Sequence, residues 1–180
     1  MKFFAIALFA FCAACASGEV NRNDQIPLTT VDYVEVDRYL GEWFEIARLP
    51  NRFEKNCEGV TAQYSRRDDG LLKVVNTCRQ GAPDGKEKRA KGRAKIVDEV
   101  TNAKLKVSFF GPFWGDYWII DLADDYSYAV VGEPSGRFLW ILARTSSLSQ
   151  IELSTILARL QEVGYNTDAL YFTKHSSAAQ

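Results

Sequence analysis

Four cysteines, Cys12, Cys15, Cys57 and Cys78, have the widest choice of chemistry in this 180-residue chain. Free thiols act as nucleophiles or metal ligands, and paired thiols form disulfides in an oxidising compartment. A nucleophilic cysteine needs a histidine or a helix N-terminus beside it, and the sequence places neither near Cys57 or Cys78. The single histidine, His175, lies in a polar C-terminal tail, which leaves histidine-based catalysis and a histidine-rich metal site poorly supplied. Twenty-two basic against twenty-three acidic side chains give a net charge of −1, without the basic excess of a nucleic-acid binder. Hydrophobic residues make up 47% and charged residues 25%, a globular composition, and aromatics are plentiful at 13%.

Cys12 and Cys15 fall in a leader. Lys2 supplies a positive start, Phe3 to Phe11 form an unbroken apolar run, and small residues follow. That is a secretory signal, residues 1–14, too short for a transmembrane helix of ~20 apolar residues, and no later window is apolar enough to span a bilayer. Ala13-Ala14-Cys15 resembles the lipobox of bacterial lipoproteins, with Cys12 where that motif usually carries Leu. The resemblance implies that Cys15 is diacylated and becomes the first residue, with residues 15–35 as a lipid-anchored linker. Ordinary cleavage around Ala14 or Ser17 is the alternative. Cleavage before an acylated Cys15, or after an unmodified one, leaves Cys57 and Cys78 as an even pair, so parity supports export without proving the lipid.

These residues must be positioned by β-structure. From Glu42 onward short alternating runs are punctuated by turn signals, and strands are expected near 42–48, 59–67, 71–79, 87–97, 102–109, 116–122, 126–133 and 137–144. Arg67-Asp68-Asp69-Gly70 is the clearest hairpin turn. Eight strands with no intervening helix favour an antiparallel up-and-down barrel, an all-β fold of a size that holds one small ligand. Ser149-Gln150-Ile151-Glu152 then forms a capping box, Leu153, Ile156, Leu157 and Leu160 recur at helical spacing, and Gly164 suits the C-terminal cap. This helix is expected to pack outside the barrel, with a short ninth strand possible at 169–173.

Three segments carry a family resemblance. Gly41-Glu42-Trp43 resembles the Gly-x-Trp signature of lipocalins, Asp124-Asp125-Tyr126 their second motif with Asp in place of Thr, and Leu139 to Arg144 their third. The domain so defined runs over 36–174, leaving 175–180 as a tail, and is most similar to bacterial outer-membrane lipocalins and apolipoprotein D. The resemblance implies that Trp43 closes the bottom of a cup and that Arg144 stacks over it. Strand parity agrees: seven hairpins return the eighth strand to the end where the first began. Trp140 shares a face with Arg144 and so points into the cup. The resemblance also makes Tyr64, Asn76, Phe109 and Tyr117 pocket-lining positions, with Asn76 a lone polar group among apolar ones. If the Asp-Gly turn sets the register, Cys78 lies opposite residue 59 or 60, close enough to Cys57 for a disulfide at the open rim.

The function implied is binding and transport or storage of a fatty acid or lysophospholipid, at the periplasmic face of an outer membrane, with no cofactor and a homodimer possible. A charged headgroup would stay at the rim near Arg48, Arg52 or the basic run 86–95. The alternatives are a lipocalin-fold enzyme acting on a lipophilic substrate, or a structural envelope or stress module with a filled barrel. The aromatic stretch Phe109 to Gly115 either folds over the barrel top, guards the mouth or dips into a lipid interface.

Overall fold

The alternating runs form eight antiparallel strands: β1 (Gly41–Arg48), β2 (Cys57–Arg66), β3 (Leu72–Gln80), β4 (Glu87–Ile96), β5 (Lys104–Ser108), β6 (Gly115–Leu122), β7 (Tyr128–Gly132) and β8 (Leu139–Ala143). They are taken from a computed structural model that describes residues 19–176. Each strand pairs with the next, and β1 pairs with both β2 and β8, so the sheet closes on itself and its edges disappear. The ends differ from those expected by no more than two residues. Gly70 holds φ +78° in the β2–β3 turn, a conformation that glycine adopts without steric cost.

A bulge between Glu45 and Ala47 bends β1. Below it, Gly41 to Phe44 pair with β2; above it, Ala47 and Arg48 pair with the short ninth strand β9 (Tyr171–Phe172). The interior cluster includes Trp43, Tyr64, Val74, Leu105, Tyr117 and Leu142. A second cluster lies outside the barrel, where Ile46, Val130 and Ile141 meet Ile156 and Leu160 of the helix α2 (Gln150–Glu162). Burying such aliphatic side chains contributes roughly 1.5–3 kcal/mol each. The capping box is formed in both directions, Glu152 N–H to Ser149 Oγ at 3.2 Å and Ser149 N–H to Glu152 Oε2 at 2.9 Å.

Residues 19–35 lie along the barrel wall. Asn21 N–H donates to Gly136 O at the β7–β8 loop (3.0 Å), Val31 N–H to Ile119 O (3.1 Å) and Val34 N–H to Thr101 O (2.7 Å). The segment thus descends from the open end to the closed end, where the short helix α1 (Val36–Tyr39) begins. Arg22 is buried in it, its Nε donating to Val163 O at the end of α2. At the other terminus, His175 Nε2 sits 2.7 Å from Glu45 O, its ring edge-on to Phe44. The signal segment 1–14, Cys12 and Cys15 lie outside the described residues.

Candidate functional site: an aromatic-floored cup

The closed end is built by the three motif segments. Gly41 adopts φ +98°, a conformation that favours glycine, and a Cβ there would crowd Arg144 Nη1 at 3.3 Å. The Arg144 guanidinium lies 3.7 Å from the Trp43 ring centre and donates to the carbonyls of Glu42 and Leu40 at 2.7 and 2.9 Å. This is a cation–π contact whose remaining donors cap carbonyls where α1 ends and β1 begins. Trp43 is fully buried and its Nε1 donates to Tyr39 O (2.8 Å). Asp125 accepts from Ser127 N–H, while Tyr126, at φ +65°, accepts from Glu35 N–H and carries Arg38 over its ring. The second motif therefore anchors α1 beneath the floor.

Directly above the floor, three phenols form a chain. Tyr117 Oη lies 2.7 Å from Tyr39 Oη and 2.9 Å from Tyr64 Oη. Burial pushes all three hydroxyls up, Tyr64 to about 12, so they stay neutral donors and acceptors to one another. Tyr64 and Tyr117 thus stand in the cup with their polar atoms already satisfied, and present ring surface upward.

The upper wall is different. Asn76 on β3 is flanked across the ladder by Ala62 and Ala90, small side chains on the same inward face. Its Oδ1 is buried and has no hydrogen-bond partner among the described residues. An unsatisfied buried acceptor costs about 1–3 kcal/mol unless something donates to it. Ala90 and Lys88, inward-facing on β4, are exposed, which marks where the wall opens to solvent. Phe109 packs its ring over Gly92; a Cβ on Gly92 would come within 2.8 Å of that ring, so glycine makes the room.

Trp140 is half-buried at the mouth, opposite Arg48. Its ring stacks on Phe138 (5.8 Å, 6°), which stacks on Phe53 of the β1–β2 loop (6.1 Å, 30°). Its Nε1 donates to Glu54 Oε2 at 2.9 Å. That loop is stapled by the Cys57–Cys78 disulfide, whose Cα atoms are 5.2 Å apart. A bridge of this kind contributes ~2–4 kcal/mol. Glu133 shapes the β7–β8 loop, its buried carboxylate accepting from the backbone N–H groups of Ser135, Arg137 and Phe138.

One expectation for the rim is corrected. Arg48 is buried, ion-paired to Glu45, and donates to the carbonyls of Glu54 and Cys57, both at 3.1 Å. Its donors are committed to holding the loop, so it does not wait at the rim for a headgroup. The sequence reading also missed Tyr39, Glu45 and Glu54. Tyr39 ends α1, two residues before the start of β1, and no periodicity in the sequence marked it. No group of side chains that could hold a metal ion occurs among the described residues.

Eight antiparallel strands closed over a Trp–Arg floor, with one outer helix and an aromatic mouth, define a small single-cup barrel. The family model for the lipocalin-like domain matches residues 34–175, and the chain belongs to the lipocalin family. It is 42% identical over 154 residues to the outer membrane lipoprotein Blc of Escherichia coli K12, covering 85% of this chain and 84% of that one. Temperature-induced lipocalin-1 of Arabidopsis thaliana is 34% identical, covering 83% of each chain. Mouse apolipoprotein D is 39% identical over 63% of this chain and 62% of its own. Among solved structures, insecticyanin from the tobacco hornworm superposes with a TM-score of 0.68 at 19% identity, covering 85% and 87% of the two chains. That likeness supports the barrel alone.

Proposed function

We propose that this protein binds a single-chain lipid, a lysophospholipid in preference to a fatty acid, with the acyl chain in the upper cup and the headgroup at the mouth. It is anchored through Cys15 to the periplasmic face of an outer membrane, consistent with its likeness to outer membrane lipoproteins. The observation that carries the reading is Asn76: a buried acceptor without a partner among the described residues, flanked by Ala62 and Ala90. A glycerol hydroxyl can donate to it, whereas an ionised carboxylate can be met only by the Asn76 Nδ2 and leaves the oxygen unpaired. Glu54 at the mouth and the inward-facing, exposed Lys88 on β4 together offer both signs of charge, which suits a zwitterionic headgroup. Apolar contact supplies the affinity, at about 25 cal/mol per Å² of ligand surface removed from water before association costs. Catalysis is not part of the proposal. The interior hydroxyls are held neutral by burial, and His175 is engaged with the β1 backbone.

A fluorescence titration tests it. Lysophosphatidylethanolamine should change the Trp140 emission saturably, Trp140→Phe should lose that change, and Asn76→Leu should weaken binding by about tenfold, the equivalent of one lost hydrogen bond. Equal affinity in Asn76→Leu would remove Asn76 from the site. No saturable change with any single-chain lipid would favour a filled barrel.

A further inference from the structure

We propose that the open rim is a membrane-docking surface, on which Phe110 and Phe113 enter an anionic bilayer so that the cup meets the lipid mouth first. Four observations lead there. Of the rings in the β5–β6 loop, Phe109 folds into the barrel over Gly92, whereas Phe110 and Phe113 are 70% and 76% exposed. Large apolar side chains held in water at a loop tip, with no carboxylate between Ser108 and Gly115, suit insertion among headgroups.

The neighbouring outer face is cationic. Lys73, Lys91, Arg93 and Lys95 make no salt bridge among the described residues. Arg93 and Lys95 lie over the Trp114 ring at 5.2 and 4.7 Å, and a shallow cleft of about 300 Å³ runs from Gly111 of the β5–β6 loop along the outer wall past Lys91, Arg93 and Lys73 to Arg67 of the β2–β3 turn. Cations beside an indole, next to exposed phenyl rings, match a phosphate layer above hydrocarbon.

Charge also decides which end docks. The closed end exposes Val97 (47%) and Val100 (85%), but Asp98 and Glu99 stand between them and would be repelled by anionic lipid. Finally, Asn21 is bonded to Gly136 at the open end. The chain from Cys15 to Asn21 reaches at most ~20 Å when extended, at ~3.3–3.6 Å per residue, so an acylated Cys15 holds the bilayer near the mouth. This last observation rests on the proposed anchor; the other three do not.

The test uses the exported chain, purified and reconstituted into vesicles of phosphatidylethanolamine and phosphatidylglycerol with brominated acyl chains. Trp114 fluorescence should be quenched by bromine, with the quenched component absent in Trp114→Phe. Phe110→Ser/Phe113→Ser, which alters only exposed rings and should melt like wild type, should lose that quenching, and raised salt should diminish it. Unquenched Trp114 in acylated wild type, or full quenching in the double variant, overturns docking. So does a dimer in sedimentation that the double variant dissociates, which would assign the rings to a second copy. Intact mass reads the anchor separately: unmodified Cys15 with quenching present sinks the anchor and keeps the docking, and an acylated chain without quenching does the reverse.

Discussion

Replacing Arg48 with methionine should destabilise the protein by about 3–5 kcal/mol, the cost of stripping a buried carboxylate of its cation. Arg48 is 4% exposed and Glu45 1%. Thr173 Oγ1, two backbone carbonyls and the Tyr171 ring, 4.6 Å away, complete the environment of the guanidinium. Around Glu45, burial disfavours the charged form first and the Glu54 carboxylate second, while Arg48 and a hydrogen bond from Thr173 oppose them; the balance raises the Glu45 pKa well above 4.5. The Glu54 carboxylate, which accepts from Asn51 and Trp140 and is not ion-paired to Arg48, stands beside Glu45 and favours the protonated form of Glu45. A carboxyl with a raised folded-state pKa contributes stability that is full below its unfolded value and is lost as pH rises through the folded one. Wild-type stability should therefore decline as pH rises from acid through that point, and Glu54→Gln should flatten the decline. Arg48→Met removes the opposing cation, raises the Glu45 pKa further, and should be least damaging in acid. Urea unfolding of all three proteins at about pH 5 and about pH 8 checks this; a pH-independent loss in Arg48→Met would contradict it.

Trp43→Ala should cost a comparable ~3–5 kcal/mol, the usual range for truncating a fully buried aromatic. Trp43 is 0% exposed, and its removal also strands Arg144 above an empty floor, forfeiting a cation–π contact of ~0.5–2 kcal/mol. Trp43→Phe keeps the ring under the guanidinium but loses the Nε1 bond to Tyr39 O, and should cost about 1–2 kcal/mol, near one hydrogen bond plus a small cavity. Thermal melts of the two variants separate the contributions. Equal loss in both would place the value of this residue in its hydrogen bond, not its packing.

The strands, the outer helix and its cap were legible because period-two and helical patterns report local geometry and burial directly. The Trp43–Arg144 contact was legible through the family resemblance, and strand parity, which counts hairpins, agreed with it. The disulfide followed because one tight turn fixes the register of β2 against β3. The segment 19–35 was not legible as a packed element. Its order comes from hydrogen bonds to remote backbone, such as Asn21 to Gly136 and Val34 to Thr101, which leave no period in the chain. The Glu45–Arg48–Glu54 cluster was hidden by the bulge between Glu45 and Ala47. Strict alternation puts Glu45 and Arg48 on opposite faces of β1; one extra residue turns both inward. The phenol chain escaped for a related reason, since Tyr39, Tyr64 and Tyr117 come from three separate elements whose meeting point is a property of closure.

The cup divides into a sealed half and an open half. Below, Trp43 and the three phenols satisfy one another and leave little for a ligand to gain. Above, Ala62 and Ala90 keep the wall thin around the unpartnered Asn76, with Phe109 over Gly92 and Trp140 at the mouth. Affinity should therefore depend on the upper residues while stability depends on the lower ones.

Native mass spectrometry of the exported chain, extracted from its own membrane, tests the carrier reading most directly. A complex with one single-chain lipid is expected, and Ala90→Trp, which fills the cup from an exposed position and spares the core, should release it without lowering the melting temperature. Wild-type protein that emerges empty, and stays empty after incubation with lysophospholipid, would contradict the reading.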